Sequence, residues 1–182
     1  MGKITDATYE KIVAFHGHSC PGLAIGYRMT KAGLAFLASA RAPDEELVAI
    51  VENNACGVDA MQVLAGCTFG KGNLIFKDYG KHVYTFFDRK SKRGARVVFH
   101  DQNVPEGLRA DRGQFIQWLL TSPTDTLVSV QEVQIDEPEP ALIKKSVICA
   151  FCGESVMETR TREVNGKLAC IPCAEKNAPP AS

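Results

Sequence analysis

The chain has 182 residues, 45% apolar and 23% charged, the composition of an ordinary globular protein. That length is enough for one well-cored domain with a small attachment. Its 21 Lys and Arg balance 21 Asp and Glu, which excludes a global field drawing nucleic acid or an anionic membrane surface.

No run approaches the ~20 apolar residues that a spanning helix needs, and the polar start MGKITDATYEK carries no signal-peptide core. A cytoplasmic location without membrane contact is the expectation. Thr5 or Asp6 can cap a first helix running to about Phe15. After Cys20, PGLAIGYRMTKAGLAFLASA reads as a long helix with Pro21 at its first position. Gly22, Gly26 and Gly33 weaken that helix, so their presence predicts close approach of another backbone. ELVAIVEN (46–53) reads as a buried strand and GVDAMQVLAG (57–66) as a short helix ended by Gly66. NLIFKDYG, HVYTFFDRK and ARVVFHD follow as strands between turns, then a helix at 112–120 and a strand at 127–135. Helices first and strands later predict an α+β class, with the N-terminal helices on a mainly antiparallel sheet. DEPEPALIKKS, with Pro138 and Pro140, reads as a linker, and NAPPAS as a disordered tail. The expected organisation is a core at 1–137, a linker at 138–146, a small module at 147–176 and a tail at 177–182.

Four of the seven cysteines fall in that module. CAFC (Cys149, Cys152) and CIPC (Cys170, Cys173) are two C-x2-C knuckles 17 residues apart, a spacing that suits zinc in a reducing compartment. Between them a hairpin turns at Asn165-Gly166. Knuckle, hairpin and helix in that order describe a treble-clef finger. The charge over residues 144–182 is only +2, and four thiolates leave no open metal position, so a structural role is expected ahead of nucleic-acid binding through Arg160 and Arg162.

FHGHSCPG (15–22) raises a separate question, because His16, His18 and Cys20 alternate just ahead of a helix start. In an extended loop all three would project to one side. A thiol at the helix start meets free N–H groups and the positive end of the dipole. ENNACGVDAMQ (52–62) repeats the form with Cys56 and Asp59. The two helix starts can face one cleft, with His16, His18, Cys20 and Cys56 holding a metal, zinc or another transition ion. Asp59 and Lys71 would line it. Cys20 with His18 is also a nucleophile–base pair, and inert buried cysteines remain the plainer alternative. AGCTFGKGN (65–73) fails the phosphate-loop pattern, because Ala65 replaces its first glycine and Gly72 its hydroxyl residue. Cys67, His82 and His100 read as structural or solvated.

FHGHSCPGLAIGYRM, ENNACGVDAMQVLAGCTFGKGNLIFKDYGK and the cysteine module after PEPA together resemble the FmdE family of formylmethanofuran dehydrogenase components. The resemblance covers nearly the whole chain. It implies an α+β core with a metal or active-site cleft, a treble-clef zinc finger in some members, and homodimers. It carries over His16, His18, Cys20 and Cys56 as core-site residues, and Cys149, Cys152, Cys170 and Cys173 as zinc ligands. The family is named for a molybdenum or tungsten complex of methanogenesis that reduces CO2 onto methanofuran. No iron–sulfur or pterin motif is present in this sequence, so redox chemistry would lie in partner subunits. Three functions follow as expectations: a metal-binding accessory protein of such oxidoreductases, a stand-alone metal-dependent enzyme, or a zinc-finger interaction module. The small-molecule ligand is left open.

Overall fold

A computed structural model describes residues 7–177. The cap expected at Thr5 or Asp6, and all but the first residue of the expected tail, lie outside them. The chain divides into two compact units, 1–141 and 142–182.

In the first unit α1 (Ala7–His16) buries Tyr9 and Ile12, and α2 (Pro21–Leu37) follows after a short loop. Cys20 caps α2: its backbone is extended and its sulfur accepts the Leu23 amide at 3.3 Å. The helix stops three residues before its expected end at Ala40. Ala38 turns left-handed (φ 52°), and its amide closes on the Leu34 and Ala35 carbonyls. β1 (Leu47–Val51), α3 (Gly57–Ala65) and β2 (Leu74–Phe76) form a crossover, so β1 and β2 pair in parallel. β3 (Val83–Asp88), β4 (Arg93–Phe99) and β5 (Val128–Val133) pair antiparallel, giving the sheet order β2-β1-β3-β4-β5. Between β4 and β5 lie α4 (Arg112–Thr121) and the single turn α5 (Thr124–Leu127). The fold is α+β with a mainly antiparallel sheet, as the order of elements implies.

Strand alternation decides what meets the helices. Val51, Tyr84 and Val97 form one cross-strand row and Ala49, Phe86 and Ala95 the next, and all six are buried. The glycines of α2 let it settle on this face and on α3. A Cβ on Gly33 would fall 2.5 Å from the Phe86 ring, and one on Gly26 would fall 2.1 Å from the carbonyl oxygen of Gly57. Close backbone approach is therefore real, but it is satisfied inside the chain.

Residues 138–141, expected to be linker, are held by the first unit. Arg89 donates to the Pro138 carbonyl at 2.6 Å, the Glu139 carbonyl at 3.3 Å and the Glu137 carboxylate at 3.1 Å, while the Ala141 amide donates to Glu45. Prolines keep this stretch out of a strand and leave its carbonyls available to a guanidinium fork. The first unit thus runs on to residue 141.

The second unit has strand β6 (Ser146–Ile148), a knuckle, strand β7 (Ser155–Met157), the hairpin β8 (Thr161–Val164) and β9 (Lys167–Cys170), and helix α6 (Ile171–Asn177). Asn165 and Gly166 both have positive φ (50° and 74°), as a type I′ turn requires. Cys173 lies in the first turn of α6.

Candidate metal centres

The finger brings the sulfur atoms of Cys149, Cys152, Cys170 and Cys173 within 4.8 Å of one another. Cys152 Sγ and Cys170 Sγ are 3.9 Å apart, close to the ~3.8 Å edge of a tetrahedron built on Zn–S bonds of about 2.3 Å. Backbone amides supply the electrostatics. N–H groups of Cys152, Cys170 and Phe151 point at the Cys149 sulfur and lower its pKa to about 6, so it stands as a thiolate at neutral pH. Beside it Cys173 is pushed up to about 12, first by its hydrogen bond with Cys170 and then by burial. Four thiols this close cannot all ionise without a cation among them. The donor set fits zinc.

The core cluster is smaller. His16 Nε2, Cys20 Sγ and Cys56 Sγ lie within 4.8 Å of one another, with 3.9 Å between the imidazole nitrogen and Cys20. The last residue of α1, the cap of α2 and the residue before α3 thus converge. His16 Nδ1 donates to Asp59 Oδ2 at 2.7 Å, and Gln62 donates to the other Asp59 oxygen at 3.2 Å. A carboxylate only accepts, so the proton sits on Nδ1 and the Nε2 lone pair faces the two thiols. This carboxylate–histidine arrangement typically orients a metal-bound imidazole. Burial, then the neighbouring Cys20, raises the Cys56 pKa, so the helix start alone does not ionise this thiol. The loop between α1 and α2 is tied down by the Tyr9 hydroxyl on Ser19 Oγ (2.9 Å) and by Arg112 donating to the Ser19 carbonyl (3.2 Å).

Two expected members stand elsewhere. His18 is exposed, its ring tilted against His16 at 4.6 Å between centroids, and it does not join the metal-capable group. Alternation would align the three side chains only in an extended loop, but α1 runs through His16 and Gly17 then turns with φ +93°. The Cys20–His18 pair is not formed either, since the imidazole beside Cys20 is that of His16. Lys71 does not line the cleft. Its ammonium donates to the Ala42, Pro43 and Asp44 carbonyls, beyond the far end of the nine-residue helix that Cys56 precedes, about 13 Å of helical rise away. Cys67 donates to the Leu47 carbonyl, and burial pushes its pKa up to about 12. His82 and His100 lie by Asn53 and Gln102, in the structural or solvated roles expected.

The packing under the cluster was not readable from the sequence: buried Tyr84 sets its hydroxyl against Gly57, the residue after Cys56. The alternation in VYTFF places it on the helix-facing side of β3, but nothing local shows that α3 begins above it.

An α+β core with a converging His/Cys cluster, joined to a four-cysteine finger, defines a metal-binding protein of modular build. A family model described as FmdE, molybdenum formylmethanofuran dehydrogenase operon, matches residues 15–133, and the chain belongs to that family. Residues 145–177 match the prokaryotic dksA/traR C4-type zinc finger. A probable S-adenosyl-L-methionine-binding protein of Archaeoglobus fulgidus is 30% identical over 188 aligned positions, covering 88% of this chain and 50% of the relative. The chain therefore spans about half the length of that curated relative. The crystal structure of a tungsten formylmethanofuran dehydrogenase FmdE-like protein from Syntrophus aciditrophicus superimposes with TM-score 0.69 at 24% identity, over 93% of this chain and 91% of that one. At that identity the likeness shows the shared fold.

Proposed function

We propose that the protein is a metal-binding accessory component of molybdenum- or tungsten-dependent oxidoreductase chemistry, carrying a second metal in its core. The observation that carries the core metal is the Asp59–His16 hydrogen bond, which fixes the imidazole with Nε2 toward Cys20 and Cys56. His16, Cys20 and Cys56 would be the ligands. Zinc suits one imidazole and two thiolates, and other borderline-soft transition ions accept the same donors. Membership of a family named for the formylmethanofuran dehydrogenase operon supports the accessory role. The finger, whose four sulfurs saturate its metal, acts as a structural zinc module.

The test is metal analysis of anaerobically purified full-length protein. Two equivalents per chain are expected in the wild type, and one in Cys56→Ser with the finger's zinc retained. One equivalent in the wild type overturns the core site. For the accessory role, affinity capture from a native host that expresses such an oxidoreductase should recover its subunits in stoichiometric amount. Recovery of the chain by itself counts against that role.

A further inference from the structure

We propose that Cys20 and Cys56 are a reversible dithiol–disulfide pair, closed by a hydroperoxide, whose oxidation empties the core site of its metal. This rests on the core-metal reading above and adds its regulation. The two sulfurs lie within 4.8 Å of each other, and a disulfide holds its sulfurs ~2.05 Å apart. Each sulfur swings about its own Cα–Cβ bond, so side-chain rotation closes the gap. The backbones need not move. A Cβ on Gly22, two residues after Cys20, would fall 3.3 Å from the Cys56 Cβ, which therefore rests over the first turn of α2. One turn further along, Gly26 against Gly57 fixes that separation.

No other cysteine of the first unit competes. Cys67 is fully buried on the Leu47 carbonyl, past the far end of α3. Cys56 is half-buried and Cys20 only 6% exposed, so an oxidant from solvent meets Cys56 first.

In the first step the Cys56 sulfur attacks the hydroperoxide. An S–O bond forms, the O–O bond breaks, and the alcohol (water, from hydrogen peroxide) leaves with one proton. In the second step the Cys20 sulfur attacks the sulfenic acid on Cys56. The S–S bond forms, the S–O bond breaks, and the hydroxyl leaves as water with a second proton. Two thiols lose two electrons and the hydroperoxide gains them. The thiolate, not the disulfide, is the metal ligand, so His16 is left as the one donor of the three. The helices stay packed on the sheet throughout, which lets a dithiol reductant reopen the pair and restore the ligands.

The probe is hydrogen peroxide, added to the anaerobically purified, zinc-loaded full-length protein. Free thiols are then alkylated, and tryptic peptides are mapped by mass spectrometry without reduction. Peptides 12–28 and 42–71 should be joined, with Cys67 alkylated. A chromophoric chelator should register one zinc released per chain, and dithiothreitol should restore its uptake. Separate alkylation of Cys20 and Cys56 while the finger cysteines oxidise overturns the proposal. So does Cys56 driven to the sulfinic acid with no joined peptide, because Cys20 then does not reach it. A joined peptide with both zinc ions retained refutes the emptying of the site. Each of these leaves the core-metal reading standing. A wild-type protein holding one zinc per chain before any oxidant removes that reading, and the switch with it.

Discussion

Under the proposed core site, Asp59 is the residue that fits His16 for service as a ligand. Its Oδ2 takes the Nδ1 proton at 2.7 Å, and Gln62 steadies its other oxygen. An asparagine there offers only a neutral acceptor and can present its amide instead. Asp59→Asn should therefore weaken core-metal affinity about 10- to 100-fold while the finger's affinity stays constant. Competition against a chromophoric chelator reads both sites in one titration. Equal affinity in variant and wild type would show that the carboxylate does not orient the ring. His18 makes the opposite lesson at the same scale. It lies two residues from His16 in sequence, yet it is solvent-facing because Gly17 turns the chain between them.

At the scale of elements, the site depends on how α2 meets α3. Gly26 lies against Gly57 so closely that a Cβ on Gly26 would fall 2.3 Å from the Gly57 Cα. Two effects of Gly26→Ala oppose each other. Helix propensity favours alanine by about 1 kcal/mol. Overpacking against backbone, which cannot rotate aside, costs up to about 3 kcal/mol or more. The clash should win, lowering the urea midpoint by the equivalent of about 2 kcal/mol and reducing core-metal occupancy. A more stable variant would refute the helix contact. Much of this was legible in the sequence, because glycines inside an apolar helix signal close backbone approach and Pro21 marks where the helix begins. Which backbone approaches was not legible, since Gly57 lies 31 positions away from Gly26. The parallel β1–β2 pair and the Arg89 contacts to 137–139 were hidden for the same reason, being settled by tertiary partners rather than by local pattern. Knuckles and hairpin turn were readable because the finger's order is local: its four ligands fall within 25 residues.

Across the whole molecule, the two centres differ in what holds them. The finger buries few large side chains, so its fold depends on the metal. The core cluster sits on helices already packed against a five-stranded sheet. Strong chelation of the full chain should therefore erase amide-exchange protection across 146–177 and leave β3 and β4 protected, as peptide-resolved hydrogen exchange by mass spectrometry would show. Protection surviving in the finger after metal loss would contradict this account. The glycine contact between α2 and α3 has a further consequence for anyone re-engineering the centre. Side chains at the ligand positions can be exchanged and their rotamers searched, but the gap between the helix starts is gauged by main-chain atoms in contact. Directed evolution of this scaffold toward a different ion should succeed through changes of donor atom and fail through attempts to widen the cage.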